Sequence, residues 1–328
     1  MQTYFPGREM ALEDTSVDEG QNTYKQFYCQ PEKAEGVKHN LIFLAALNIF
    51  LSVTAILGNT LILVALHKIS SVRSASKLLY RNLATTDLFV GITAQPLMVV
   101  HWISAEKGQW HICRSAKMAN FLAGYILCSV SLITMTVISV DRLLALLLGL
   151  RYKQDVTLTR TYLAISIAWA VSILLTAMYF VHYRITLWYS YVGIFLALSI
   201  LTFCYAKIIL TLHHRQRKVF VTPTYYSYQG QVKRPGLANI TRYKKTLSGA
   251  LWLQMILLVC YLPYCIVDAL ISQRRDYSQS FYFAREFTVT LVYLNSSLNP
   301  IVYCWKMREV KRAVKKILKQ IFSCIYCN

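Results

Sequence analysis

Charged residues are scarce in this chain, and acidic residues are the scarcest. Only 15% of its 328 residues are charged, whereas a soluble globular domain carries roughly 25%. Hydrophobic residues make up 55% of the sequence. This composition argues against a soluble domain and favours a membrane protein. The 35 lysines and arginines outnumber the 15 acidic residues, which gives a net charge of +20.

The N-terminal segment also lacks the features of a cleavable signal peptide, because no apolar core follows a basic patch in its first 29 residues. We therefore expect an acidic, polar tail there, with the first apolar segment acting as the signal anchor. The nine cysteines lack the spacing typical of metal sites. Five of them lie in apolar segments, which is typical of small buried hydrophobic residues.

Seven long apolar segments divide the rest of the chain. A bilayer core about 30 Å thick needs about 20 mostly apolar residues as helix, and each segment reaches that length. The segments are Asn40–Leu66, Leu78–Ile103, Ala119–Leu148, Thr161–Val181, Leu187–Leu212, Thr246–Ile271 and Phe281–Trp305. Since only helices and closed barrels satisfy the backbone in lipid, the sequence predicts an all-α membrane protein with a seven-transmembrane helix bundle. The odd number and the lack of an internal repeat argue against an inverted-repeat transporter.

Basic residues concentrate in the first, third and fifth connections and after the last span. By the positive-inside rule these segments are cytoplasmic, so we expect a multi-pass plasma-membrane protein with its N-terminus outside. The net charge is then a topology signal and a surface for membrane lipids, and nucleic acid is excluded as a partner. The predicted parts are an extracellular tail at 1–39, the bundle at 40–305, and an amphipathic helix with a cytoplasmic tail at 306–328.

The pattern changes after the last span. Apolar residues recur there at helical spacing, with lysines and arginines between them, which predicts an amphipathic helix on the membrane surface. These apolar residues are Val310, Val314, Ile317, Leu318 and Ile321. Cys324 and Cys327 are candidates for palmitoylation beside this helix, with two ordinary thiols as the alternative.

Polar residues and prolines interrupt the spans in a recognisable order. The motifs are Gly58-Asn59, "LATTD" ending at Asp87, "SVDR" ending at Arg142, Trp169, "CYLP" ending at Pro263, and "NPIVY" from Asn299 to Tyr303. Together they resemble the rhodopsin-like (class A) G-protein-coupled receptors, from the first span to the surface helix. The resemblance implies a receptor, not an enzyme, that binds an extracellular ligand and activates a heterotrimeric G protein. Arrestin is a further candidate partner.

The resemblance implies a sodium pocket in the middle of the bundle. Its candidate residues are Asp87, Ser131, Asn295 and Asn299. A buried carboxylate needs a cation or hydrogen-bond donors beside it, so a polar packing network without sodium is the alternative. If sodium binds the inactive shape preferentially, it shifts the population away from activation.

The same resemblance assigns an activation switch to the Arg142 motif. Asp141 would hold Arg142 in the inactive state, and Tyr205 and Tyr303 would close around the arginine on activation. Within the Asn299-Pro300 pair, the proline interrupts the helical hydrogen bonds and bends or loosens the seventh span.

The matching ligand-pocket positions disfavour two ligand classes. The seventh span has no lysine for a retinal Schiff base, and Gly124 stands where amine receptors have an aspartate. The pocket candidates are mostly aromatic and mildly polar, as in many ligand cavities, with helix packing as the alternative for each. They are Gln95, Gly124, Tyr125, Cys128, Tyr189, Tyr261, Tyr264, Cys265, Asp268, Val289 and Tyr293. We expect Asp268 and Glu286 near the outer rim, where they would attract a cationic or peptide ligand or would simply be solvated.

Several positions depart from the family pattern. Leu143 replaces the usual tyrosine after the Asp-Arg pair, which removes a hydroxyl that could anchor the second inner loop. Ala197 replaces the common proline of the fifth span. The second outer loop has no cysteine, and Cys113 lies one helical turn early, with Lys117 in its expected place. Our hypothesis is a disulfide between Cys113 and Cys29 of the tail, with free thiols as the alternative.

The very short second outer loop and the unusual fifth span resemble the melanocortin, adenosine, cannabinoid and lysolipid branch of the family. Peptide, nucleoside and lipid ligands therefore stay open. The competing class is a transporter or channel, which would need a continuous polar path. Asp87, taken as the one acidic residue deep in the bundle, suits a buried switch better than a pore. A receptor-like protein that does not couple is the third interpretation.

Overall fold

Long helices form nearly all of the fold in the described residues, which are 29, 38–70, 72–149, 151–181, 183–221, 235–274 and 278–326 of this computed structural model. They are α1 (Lys38–Lys68), α2 (Ser74–Glu106), α3 (Trp110–Leu148), α4 (Leu158–Ala177), α5 (Tyr183–Val221), α6 (Pro235–Arg274), α7 (Gln279–Lys306) and α8 (Arg308–Tyr326). A one-turn helix at Tyr152–Asp155 follows α3, and a 3-10 turn at Met178–Phe180 follows α4. The predicted all-α fold is confirmed.

Six of the described helices, α1 to α6, are long and apolar enough to cross a bilayer. α7 has 28 residues, about 42 Å at 1.5 Å per residue, and is also long enough, but it carries more polar side chains. Glu286, Asn295 and Asn299 are among them, and all three are buried in the bundle. α7 packs against both α1 and α6, so it completes the predicted seven-helix bundle with its polar groups turned away from lipid.

α3 is the central helix, since it packs against α2, α4 and α5 and carries buried residues along its whole length. Cys113 lies near one end of α3 and Arg142 near the other. We name the two ends of the bundle after these residues, as the Cys113 end and the Arg142 end. One continuous helix therefore connects the two ends.

Two local features of the helices shape the interior. A Cβ atom at Gly58 would lie 2.8 Å from Cγ of Pro300, so the close approach of α1 to α7 requires glycine there. α2 contains a wide π-helical turn at Val90–Ala94, directly before Gln95. Such a turn changes the face that the next part of the helix presents.

The predicted amphipathic helix is α8, which packs against α1 and α7. Val310, Val314 and Ile317 are buried there, while the lysines and arginines between them are mostly exposed. Residues 1–28, Cys327 and the side chain of Cys324 lie outside the described part of the chain. The long inner connection near 213–245 begins and ends as helix, because α5 continues to Val221 and α6 begins at Pro235.

Candidate functional site

A cavity of about 330 Å³ lies between α3, α5, α6 and α7. It runs from Lys117 and Arg285 at the Cys113 end to Thr136 and Val137 deeper along α3. Eight of the predicted pocket residues line it: Gly124, Tyr125, Cys128, Tyr189, Tyr261, Tyr264, Val289 and Tyr293. The structure therefore brings most of the predicted pocket into one space.

Tyrosine hydroxyls shape the part of this cavity that is nearer the Cys113 end. The hydroxyls of Tyr125 and Tyr264 lie 2.8 Å apart and link α3 to α6. The Tyr293 hydroxyl accepts a hydrogen bond of 3.0 Å from the side-chain amide of Asn120. That hydroxyl also fills the space beside Gly124, because a Cβ atom there would lie only 2.5 Å from it.

Three predicted pocket residues do not line the cavity: Gln95, Cys265 and Asp268. Gln95 is fully buried on α2 beyond the π-helical turn, and within the described part of the chain its amide atoms have no hydrogen-bond partner. The Asp268 carboxylate instead accepts hydrogen bonds from Arg285 Nε at 2.9 Å and from the Tyr191 hydroxyl at 2.8 Å. These three assignments to the pocket wall are wrong for this conformation.

The predicted rim charges form a buried ionic cluster. Glu286 is 0% exposed, and its Oε1 lies 2.5 Å from Lys117 Nζ and 3.9 Å from Arg285 Nη1. Trp102 Nε1 donates to Glu286 Oε2 at 3.0 Å. Asp268 is 4% exposed and pairs with Arg285. The expectation of solvated rim charges is wrong, as is the expectation that Asp87 is the one acidic residue deep in the bundle.

Sequence reasoning missed Lys117 and Arg285 as cavity residues, although a signal was present. Arg285 and Glu286 are adjacent ionisable residues within an apolar span, and such residues usually face a partner or a cavity. Charges this deeply buried are stable only when they are paired, since burial alone costs several kcal/mol per ion. The Lys117–Glu286 and Arg285–Asp268 pairs meet that requirement across α3, α6 and α7.

A polar network surrounds Asp87 in the middle of the bundle. Its fully buried carboxylate accepts a hydrogen bond of 2.6 Å from Asn299 Nδ2 and one of 3.3 Å from Ser131 Oγ. Asn59 donates to the Ser296 carbonyl at 3.1 Å and ties α1 to α7. Three of the four predicted sodium-pocket residues are thus in direct contact.

The oxygen atoms of this network suit a hard cation. Within the described residues, the side-chain oxygens Oδ1 of Asn295 and Asn299 are buried without a hydrogen-bond partner. These amide oxygens, the Asp87 carboxylate and the Ser131 hydroxyl are all of the oxygen types that hard cations prefer. The residues present therefore fit sodium, which would be held by Asp87.

At the Arg142 end, the arginine contacts a residue that the sequence did not indicate. Arg142 Nη2 donates a hydrogen bond of 2.7 Å to the Tyr80 hydroxyl on α2. The Tyr80 ring packs edge-on against Tyr303, with 5.3 Å between the ring centroids. Asp141 instead accepts hydrogen bonds from Ser76 Oγ at 2.9 Å and the Tyr152 hydroxyl at 2.5 Å. The expected pairing of Asp141 with Arg142 is not made in this conformation.

The two predicted activation tyrosines lie nearby without closing on the arginine. The Tyr205 hydroxyl lies 2.9 Å from Ser139 Oγ on α3. The Tyr303 hydroxyl is buried and has no hydrogen-bond partner within the described residues. Tyr80 contacts both residues, with its ring against Tyr303 and its hydroxyl bonded to Arg142. Pro300 lies inside α7, one turn from Tyr303.

Tyr152 supplies the loop anchor that Leu143 was expected to remove. Its hydroxyl bonds Asp141, and Arg73 stacks on its ring with 4.2 Å between Cζ and the centroid. Arg73 also donates to the Val156 carbonyl. Burial and the hydrogen bond to Asp141 raise the pKa of Tyr152, so its hydroxyl stays a protonated donor at neutral pH. The connection after α3 is therefore fixed to α2 and α3.

A disulfide joins Cys29 of the tail to Cys113 of α3, with 6.1 Å between the Cα atoms. His101 Nδ1 lies 3.4 Å from the Cys113 sulfur, and Trp102 packs in the same buried cluster. The bond holds this point of the tail against α2 and α3, at the same end as the ionic cluster.

Comparisons with known proteins agree with this architecture. The family model described as "7 transmembrane receptor (rhodopsin family)" matches residues 58–186 and 179–303. The chain is 26% identical to probable G-protein coupled receptor 45 of Homo sapiens, covering 86% of this chain and 83% of that protein. It is 25% identical to trace amine-associated receptor 9 of Mus musculus, covering 80% and 81%. It is 24% identical to adenosine receptor A3 of Ovis aries, covering 91% and 95%.

Proposed function

Because this chain belongs to the rhodopsin family of seven-transmembrane receptors, which are multi-pass membrane proteins and not enzymes, we propose that it binds an extracellular ligand in the cavity and activates a heterotrimeric G protein at the Arg142 end. The Cys113 end would then face the outside of the plasma membrane, and the basic Arg142 end the cytoplasm. Membership of a receptor family weighs against the transporter or channel interpretation.

One observation carries this proposal: the cavity and Arg142 share helices. α3 lines the cavity from Lys117 to Val137 and reaches Arg142 five residues later. α5 lines the same cavity and then carries Tyr205, whose hydroxyl contacts Ser139 on α3. A ligand that favours one arrangement of these helices would change the population of conformations presented at Arg142.

The cavity wall disfavours an amine ligand. Its charged lining residues are Lys117 and Arg285, and no carboxylate belongs to the described lining. The place where amine receptors have an aspartate is Gly124, and the Tyr293 hydroxyl fills the space beside it. Although several relatives are named trace amine-associated or 5-hydroxytryptamine receptors, these residues favour a peptide, nucleoside or lipid ligand, with arrestin as a further partner of the active receptor.

The test of coupling is Arg142→Ala in a nucleotide-exchange assay on the full-length receptor with several G-protein classes. Ligand-independent exchange at high receptor density supplies the signal until a ligand is identified. We expect exchange to fall to background while surface expression is kept. Arg151→Ala is the matched control, because Arg151 is an exposed arginine beyond the same end of α3. Undiminished exchange in the Arg142 variant would place coupling elsewhere, and background exchange in the unmodified receptor would favour a non-coupling protein.

A further inference from the structure

Polarity is unevenly distributed along the cavity. At the Cys113 end the wall carries Lys117, Arg285 and the linked hydroxyls of Tyr125 and Tyr264. The deeper wall along α3 and α5 is mostly aliphatic. Its apolar members include Leu132, Ile133, Val137, Ile194, Leu196 and Ile200. One end of an occupant would therefore meet N–H and O–H donors, and the rest would meet hydrocarbon.

The cations and the anions of the ionic cluster are placed differently with respect to the cavity. Its cations, Lys117 and Arg285, line the wall, whereas its anions, Glu286 and Asp268, do not. Trp102 Nε1 donates a hydrogen bond to the Glu286 carboxylate. Lys117 pairs with Glu286, and Arg285 lies beside both Asp268 and Glu286. The cluster is neutral in sum, but the side that faces the cavity is positive.

The wall of the cavity reaches the outer surface of α5. Leu196 and Ile200 line the cavity, yet these residues are 52% and 41% exposed. Gly193 and Ala197 also line the cavity at a spacing of four residues, so this part of α5 carries a glycine and an alanine in place of bulky residues. In a bilayer the exposed side of α5 is in contact with acyl chains, so an apolar chain can reach the cavity from the membrane.

We propose that the cavity binds a single-chain anionic lipid, with its carboxylate or phosphate head group at Lys117 and Arg285 and its acyl chain along α3 and α5. Charge-assisted hydrogen bonds to the two cations fix the head group. The acyl chain lies along the aliphatic wall and in the opening beside α5. A cavity of about 330 Å³ is within the range of small-molecule sites. This inference rests on the proposed receptor function and names the ligand class of that same site.

The experiment measures binding to the full-length receptor in nanodiscs of phosphatidylcholine, by competition with a fluorescent C18 fatty acid. The four competitors are oleic acid, oleoyl lysophosphatidate, oleyl alcohol and oleylamine, which share a chain and differ in the head group. We expect both acids to compete at least about tenfold more tightly than the alcohol and the amine. This comparison uses the unmodified protein, and the two acids distinguish a carboxylate from a phosphate ligand. Equal competition by acid and alcohol would overturn the proposal.

Two kinds of variant locate the lipid. The paired changes Lys117→Gln with Glu286→Gln, and Arg285→Gln with Asp268→Asn, remove the cations without leaving a lone buried charge. We expect each to remove most of the preference for acid over alcohol. Ala197→Phe fills the aliphatic part and should weaken all four competitors alike. Lys207→Gln is the control, since Lys207 is an exposed lysine on α5 outside the cavity. An acid preference that survives both paired changes would overturn the placement of the head group.

Nucleotide exchange is measured in parallel, so the two proposals can fail separately. Acid-selective binding together with only background exchange in the unmodified receptor supports the lipid site and contradicts the signalling function. Exchange that depends on Arg142, with no acid-selective binding, supports the signalling function and overturns the lipid site.

Discussion

The Arg142 guanidinium bonds the Tyr80 hydroxyl at 2.7 Å, although its sequence neighbour Asp141 carries the carboxylate that was expected to hold it. Asp141 is instead used by Ser76 and Tyr152 to fix the connection after α3. The two charges of the Asp-Arg pair thus have separate tasks in this conformation. Arg142 is held by α2, and through the Tyr80 ring it is in contact with Tyr303 of α7.

We predict that Tyr80→Phe raises ligand-independent nucleotide exchange by about tenfold or more. The change removes the acceptor for Arg142 but keeps the ring that packs on Tyr303. A hydrogen bond to a charged group contributes about 1.5–3 kcal/mol, so its loss releases the arginine for contact with a G protein.

Exchange rates of receptors at matched surface density give the measurement. Tyr162→Phe serves as the control, because Tyr162 is an exposed tyrosine on α4. A fall in exchange with Tyr80→Phe would mean that the tyrosine positions Arg142 for coupling instead of restraining it.

Helical spacing within one span predicts which side chains face the cavity. It does not predict contacts between residues on different helices. Tyr125, Cys128 and Tyr264 line the cavity as expected, because regular helical spacing from the motifs gives their direction. Gln95 does not, since the π-helical turn before it breaks that spacing on α2. The Tyr80–Arg142 bond joins residues 62 positions apart, and no local pattern encodes it.

The charges at the Cys113 end show the same limit. The sequence shows that Asp268 and Glu286 exist, but their burial depends on Arg285 and Lys117 arriving from other turns and helices. Paired charges can be buried, whereas single ones near a membrane surface remain solvated. These two ion pairs depend on which helices pack side by side, and the sequence of a single span does not show that.

Sodium provides a second prediction, centred on Asp87. We expect sodium chloride to raise the Tm of the purified receptor by about 2–4 °C over potassium chloride at equal ionic strength. In Asp87→Asn this difference should vanish, because the variant keeps a hydrogen-bond acceptor for Asn299 and Ser131 but loses the charge that would hold the cation. A sodium effect that persists in the variant would exclude Asp87 as the cation ligand and favour a plain polar network.

The disulfide between Cys29 and Cys113 gives a third prediction. Cys29→Ala, Cys113→Ala and the double variant should all lose the same stability, about 2–5 kcal/mol, because each removes the same bond. Thermal unfolding of the three purified proteins measures the loss, and non-reducing peptide mapping of the unmodified receptor should yield one linked peptide. Two free thiols in that map, or a double variant clearly less stable than either single one, would contradict the assignment.

Two cavity glycines make a matched pair for the last prediction. A Cβ atom at Gly124 would lie 2.5 Å from the Tyr293 hydroxyl, whereas one at Gly193 would lie 3.7 Å from its nearest neighbour, Tyr189 Cε2. Alanine favours a helix over glycine by about 1 kcal/mol at either place. Only at Gly124 does it also force a buried side chain to move, which typically costs about 1–3 kcal/mol.

We therefore expect Gly193→Ala to keep or raise the Tm of the purified receptor and Gly124→Ala to lower it. The clash should also break the hydrogen bond from Asn120 to Tyr293. Adding Tyr293→Phe to Gly124→Ala removes the clashing hydroxyl and should restore part of the lost stability. Equal Tm values for the two alanine variants would show that the Tyr293 hydroxyl can move away from Gly124 without a loss of stability. The space beside Gly124 would then be open to a ligand instead of belonging to the packed wall.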